Sequence, residues 1–375
     1  MKRILIILIM FIGAIVSLNR TSFAEQACVQ GYCVSGYYDA QNEWFVFDCP
    51  ECVIPMHKKV IFDPVNKVKP YINAYITYNH NKEDYTYKYT VSNGIGARQS
   101  IDDIFIRYWA GIYDQKAPEK GWFMHTTYGF TVPICTWGHT PGVLTGKTKS
   151  GFSFRSVGLP AIALSQLSGG QRKEYYPPEG DDEQPQIGDA FRKVLDALLA
   201  RYPEQARPIT MTTIAPKYPP FPFIPVKFLS YIISLKDQSY KLGWIIEVSK
   251  AGSKGSIMNS LDKKLNNAQI KLEADDKKET IKILNTFVHE VDSLYNVCKK
   301  DEEYEGKEDD TSTHPIKNKD GKIEEYKVCN KSHITSEAYA LLKYNTAFLI
   351  NVLNGKMSPD IWMRKPAKEG QCEGK

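Results

Sequence analysis

Apolar and polar side chains alternate strictly along one stretch. Tyr85, Tyr87, Tyr89 and Val91 interleave with Thr86, Lys88, Thr90 and Ser92. A period of two on β-favouring residues predicts a half-buried strand, and Asn93-Gly94 behind it is a turn signal. Tyr71 to Ile76 predicts a strand before this one, and Ile101, Ile104 and Ile106 predict one after it. Gly121-Trp122-Phe123 and Gly151-Phe152-Ser153-Phe154 read as further short strands between glycine turns. Short strands at such spacing predict an antiparallel β-sandwich over residues 59–168.

The period changes after Gly169. Ala190, Val194, Leu195, Leu198 and Leu199 follow helical spacing, with Asp189 as the expected cap of a helix reaching Tyr202. Pro208, Pro216, Pro219, Pro220, Pro222 and Pro225 then crowd one segment. Proline lacks an N–H and fixes φ, so residues 169–225 read as a Pro-rich linker with one helix. Beyond it, Phe228–Val248 is a candidate helix, and Ile257, Leu261, Leu265, Ala268 and Leu272 form a second stripe. Asp276 with Glu279 is a capping box ahead of Ile281, Leu284, Val288, Val291 and Tyr295. A last helix opens at Thr335, carries Ala338, Leu341, Leu342, Phe348, Leu349 and Val352, and stops at Gly355. These stripes predict a small helical bundle over 226–354 and a tail over 355–375. The expected class is therefore α+β and multidomain, an N-terminal antiparallel β-sandwich followed by a C-terminal helical bundle.

The helical region resembles the FIMAH domain, a short module of exported and surface bacterial proteins. The resemblance rests on Ser260-Leu261-Asp262-Lys263-Lys264-Leu265-Asn266-Asn267-Ala268, on Leu284-Asn285-Thr286-Phe287-Val288-His289-Glu290-Val291, and on the run from His333 to Leu342. Leu242-Gly243-Trp244-Ile245 fits the lead-in. The resemblance covers about 240–354. It implies a helical fold and a role in adhesion or protein interaction, and it brings no catalytic residues. Between the family's second and third helices a short link is usual, whereas here residues 299–328 intervene, with ten acidic and seven basic side chains. Such a charged insert cannot bury a core. The β region is similar to sandwich domains that precede this module in some exported proteins, through Tyr87, Tyr89, Val91 and Asn93, Gly121-Trp122, Gly151 to Ser156 and Gly158-Leu159-Pro160.

The N-terminus sets the compartment. Met1-Lys2-Arg3 is positive, Ile4 to Leu18 is apolar, and Ser22-Phe23-Ala24 fits a small-x-small site. This predicts a signal peptide, residues 1–24, cleaved after Ala24, and a secreted or periplasmic chain. No later stretch is long and apolar enough for a second membrane span. Removing Lys2, Arg3 and Arg20 takes three charges from the formal +5 of the 375 residues, so the mature chain is near neutral.

Export changes the meaning of the eight cysteines, Cys28, Cys33, Cys49, Cys52, Cys135, Cys298, Cys329 and Cys372. An even number in an oxidising compartment points to disulfides. Cys28, Cys33, Cys49 and Cys52 make a Cys-rich segment over 25–58 whose pairing the spacing leaves open. The same four could instead ligate zinc, and Cys49-x-x-Cys52 could be a redox pair. Cys298 and Cys329 flank the charged insert, and a bridge between them would pin its base.

Other candidate chemistry fails on spacing. Gly146-Lys147-Thr148 has Pro141 where a phosphate-binding loop needs glycine. Lys149-Ser150-Gly151 lacks an S-x-x-K upstream; Ser260-Leu261-Asp262-Lys263 comes later, on a helix. No histidine lies four residues from another, although Cys135 and His139 have ligand spacing. The lysines around 254–278 are interleaved with acids, so no nucleic-acid partner is expected. The expected function is that of an exported non-enzymatic interaction or adhesion-type protein without a cofactor, binding another protein or an envelope component. One alternative is a carbohydrate-binding or hydrolytic protein whose sandwich loops present Trp109, Trp122 and Trp137. The other is a metal- or redox-linked N-terminal cysteine module.

Overall fold

The computed structural model describes residues 24–50, 58–127, 132–170, 185–247, 256–296 and 333–358. Nearly all of the expected signal segment, Cys52, Cys298, Cys329, the expected insert 299–328 and most of the expected C-terminal tail lie outside the described residues. Among the described residues the fold is mixed α+β, with thirteen strands in three antiparallel sheets, mostly N-terminal, and six helices, mostly C-terminal. Among the described residues no helix is long and apolar enough to cross a membrane. The described residues fall into two compact units.

The first unit draws on residues within Met1–Val68, Ala97–Ser100 and Ser168–Ile209. Four strands, β1 (Glu25–Val29), β2 (Tyr32–Asp39), β3 (Trp44–Asp48) and β4 (Lys59–Phe62), form an antiparallel sheet in sequence order. Gln30 and Gly31 both take positive φ between β1 and β2, the backbone a two-residue hairpin demands. That hairpin sets Cys28 opposite Cys33, and their sulfurs are bonded. Cys49 is disulfide-bonded as well. The helix α1 (Pro185–Arg201) lies on this sheet and is followed by the single turn α2 (Pro203–Ala206). The helix starts a turn before the expected Asp189, because a proline is tolerated at a helix start, where its missing N–H would be unbonded anyway. Ala190, Phe191, Val194 and Leu198 of α1 meet Val34, Phe45, Phe47, Val60 and Phe62 in one core. At Gly36 a Cβ would stand 2.8 Å from the Val194 side chain and 2.9 Å from the Phe47 ring, so only glycine permits this helix–sheet approach.

The second unit draws on residues within Lys69–Gly96, Ile101–Leu167 and Thr210–Lys375. One sheet has the order β5 (Pro70–Asn79), β6 (Asp84–Asn93), β11 (Thr148–Ser156), β8 (Ile112–Lys116). The other runs β13 (Ile209–Lys217), β12 (Leu159–Gly169), β7 (Ile101–Arg107), β10 (Ile134–Val143), β9 (Phe123–Thr127). The alternation in β6 does what its period requires: Tyr85, Tyr87, Tyr89 and Val91 are buried. Their rings meet those of the neighbouring strands and of the other sheet, Tyr89 on Trp137 and Trp137 on Phe152 and Phe154. The buried phenols also find acceptors, Tyr87 donating to Gly158 O and Tyr89 to Ile214 O, both at 2.8 Å.

β13 lies in the stretch expected to be an extended Pro-rich joint. It is an edge strand, where the missing N–H of Pro216 is tolerated. Four longer helices follow: α3 (Pro225–Lys241), α4 (Ser256–Glu273), α5 (Lys277–Asn296) and α6 (Ser336–Leu353). The α3 helix is shorter than its candidate span and ends at Gly243, whose φ is +73°. Asp276 caps α5 by accepting from Glu279 N–H, and Thr335 caps α6 by accepting from Ala338 N–H. Leu261, Leu265, Leu284, Phe287, Val291, Leu341 and Leu349 are all buried. The helices belong to the same unit as the two larger sheets, because α6 lies along the β5 edge. Ala74 N–H donates to Glu337 at 2.7 Å, Ser336 donates to Ala74 O at 2.8 Å, and Tyr344 donates to Ile76 O at 3.1 Å.

Candidate functional site

The ionisable clusters of the second unit are neutralised locally. Arg155 pairs with the buried Asp84, to which Tyr113 also donates at 2.6 Å. Burial, and then the Asp84 carboxylate, hold the Tyr113 hydroxyl above its ordinary pKa. The buried Lys236 ammonium is paired with Asp262 and, at 2.9 Å, with Asp237. Asp292 receives Lys343 at 2.7 Å and the Tyr339 hydroxyl at 3.0 Å. In each case carboxylate and donor close on one another within the protein.

A different arrangement lies where the start of β12, the end of β13, α3 and α6 converge. Leu159, Pro160 and Ala161 form one wall; Lys217, Tyr218, Pro219 and Pro220 form the next. Phe228 and Tyr231 of α3 and Asn345 of α6 complete a crevice of about 150 Å3. Gly158 immediately precedes the lining residues of β12. A Cβ there would lie 2.3 Å from Ala110 Cβ and 3.0 Å from Lys217 N, so the chain can pass close to the end of β13 only without a side chain. Trp109 N–H donates to Pro216 O at 2.8 Å, and the Lys217 ammonium sits 5.8 Å over the Trp109 ring. Behind the crevice, Phe228 meets Phe223 and Phe348 in an aromatic cluster.

The polar groups of this crevice are few and incompletely used. Asn345 is 1 % exposed. Its amide donates to Pro160 O at 2.9 Å and to Leu341 O at 2.8 Å, while its Oδ1 has no donor. The Tyr231 hydroxyl forms no hydrogen bond among the described residues, and burial pushes its pKa up to about 12. It therefore stays protonated at neutral pH and can donate and accept. The segment that follows the lining prolines leaves Phe221 67 % exposed and Ile224 38 % exposed. A large ring left in water costs free energy that a partner can recover by covering it.

The residues singled out from sequence are placed elsewhere. Trp137 is fully buried and donates to Lys116 O at 3.0 Å. Trp122 is buried against His139 and Phe152, and Trp109 is half-buried against Lys217. Two of the three rings thus lack the free face that stacking on a sugar requires. Cys135 is buried on β10. Cys28 and Cys33 are bonded to each other, so neither is a thiolate ligand as placed. Among the described residues no group of three or more His, Cys, Asp and Glu converges as a metal site.

A scan against models of known protein families matches none, and a search of curated proteins also finds no match. Tyr231 and Asn345 were missed from sequence because each lies inside a candidate helix, at helical spacing from Phe228 and Leu341, and neither belongs to a motif. Only the density of prolines at 216–222 marked the region as unusual.

Proposed function

We propose that this is an exported, non-enzymatic binding protein. In this reading the two larger sheets form a β-sandwich, the C-terminal helices form a FIMAH-like bundle on its edge, and Ala24 is the last residue of a removed leader. The bonded Cys28–Cys33 pair supports export, since such bonds persist in oxidising compartments. The buried group of four rings between the sheets, Tyr89, Trp137, Phe152 and Phe154, supports the sandwich.

One observation carries the functional part: the open apolar crevice between β12, β13, α3 and α6, flanked by the exposed Phe221 and Ile224. The buried charges of Asp84 and Lys236 elsewhere in the second unit are paired within the protein, whereas this surface offers an apolar lining and a phenol that no described residue engages. That combination suits binding of an apolar group by a protein or envelope component. The test is retention of envelope and medium components on the immobilised mature chain. A component held by the wild type and lost with Phe221→Asp is expected. Equal retention by both proteins would remove the crevice from the account.

A further inference from the structure

We propose that the crevice binds a compact, neutral aromatic molecule carrying one hydroxyl or N–H group, of the phenol or indole class. The inference rests on the reading of the crevice as the binding site and adds the chemistry of its ligand. Size comes first. The space is about 150 Å3, and an apolar protein cavity of about that volume takes up benzene. Shape follows from the walls. Pro160, Pro219 and Pro220 line the space together with the rings of Phe228 and Tyr231, and rings of this kind suit a planar ring better than a flexible chain.

The polar equipment selects among rings. Asn345 Oδ1 lacks a donor, and both donor positions of its amide are taken by Pro160 O and Leu341 O. The Oδ1 atom is itself closed to solvent, so Asn345 leaves the ligand's polar contact to its neighbour. Tyr231 supplies a hydroxyl that no described residue engages. A ring with one O–H or N–H can meet the Tyr231 hydroxyl, whereas benzene leaves it as it is. No carboxylate lines the crevice. The one lining cation, Lys217, is exposed and lies over Trp109, so ligand charge is not needed.

The experiment titrates the full mature chain with phenol, indole and benzene by calorimetry, beside Tyr231→Phe and Ala161→Leu. Saturable binding of phenol and indole is expected, with benzene weaker by roughly 3–10-fold, the worth of one hydrogen bond. Tyr231→Phe keeps the apolar walls and should bring phenol down to the level of benzene. Ala161→Leu fills the crevice and should abolish all three. If that variant fails to fold, the Tyr231→Phe arm decides alone. Absence of saturable heat with phenol, or phenol binding unchanged by Tyr231→Phe, would overturn the proposal. If Phe221-dependent retention of an envelope component persists in that event, only the ligand class falls. If retention is also independent of Phe221, the binding reading falls with it.

Discussion

The Glu337 carboxylate accepts a 2.7 Å hydrogen bond from the Ala74 amide, 263 residues away in sequence. Ala74 lies on β5, an edge of its sheet, and its outward N–H would otherwise be open to pairing with another chain. Ser336 takes the Ala74 carbonyl, and Tyr344 takes that of Ile76. The first turns of α6 thus close one sheet edge with side chains. Glu337→Ala should leave a buried N–H unpaired and cost about 1–3 kcal/mol, read as a lower urea midpoint. Glu337→Gln keeps an acceptor and should cost less. Equal midpoints for wild type and Glu337→Ala would show that the edge contact is not needed for stability.

Gly36 is the tightest point between α1 and its sheet. Gly36→Ala puts a methyl 2.8 Å from the Val194 side chain and should destabilise by about 1–3 kcal/mol through overpacking. The double variant with Val194→Ala opens space on the helix side and should recover part of the loss. A double-mutant cycle with no coupling would contradict the packing described here.

These two contacts mark how much of the fold the sequence discloses. The β6 alternation and the helical stripes are local patterns, and both proved to be buried faces of the elements they predict. The first unit is different. Its sheet comes from residues before 69, its helix from around 190, and a short segment at 97–100 joins them. No local period announces that the Cys-rich segment and the helix of the apparent linker share a core. β13 was hidden because Pro208 and Pro216 bracket Ile209-Thr210-Met211-Thr212-Thr213, and proline density argues against a strand unless it lies on an edge. The crevice was hidden for the same reason as the first unit, since residues near 160, 218, 230 and 345 meet only in the fold.

Alkali should unfold the protein in a defined direction. Burial raises the hydroxyls of Tyr231 and Tyr344 to about 12, and those of Tyr85, Tyr87 and Tyr89 higher still. Below the unfolded value near 10 these phenols are neutral in both states and contribute no pH dependence. Above it the unfolded chain loses protons that the folded chain keeps, so stability falls as pH rises. Tyrosinate absorbance is expected to lag behind that of free tyrosine and then rise together with loss of near-ultraviolet circular dichroism. A smooth titration of all 23 tyrosines near 10, with the fold intact, would contradict the burial of these rings.

Gly158 lies against the end of β13, which carries the lining residue Lys217. Gly158→Ala forces a Cβ against Ala110 and the Lys217 backbone, which must displace the end of β13. Phenol affinity should drop at least as far as with Tyr231→Phe, with a stability cost of about 1–3 kcal/mol. Unchanged phenol affinity in a folded Gly158→Ala protein would place the ligand elsewhere.

The central claim is that the Phe221 side of the crevice faces a partner. The most direct measurement places a photo-crosslinking phenylalanine analogue at Phe221, or as a control at Ile270, in the full chain within an extract of the cells that produce it. The two positions are comparably exposed, at 67 % and 62 %, but Phe221 directly follows the lining Pro219-Pro220, whereas Ile270 lies on α4, which contributes no lining residue. One recurring adduct from position 221, competed by excess wild-type chain and not by Phe221→Asp, with none from position 270, is the predicted result. The same adducts from both positions, or none that competition reduces, would contradict it.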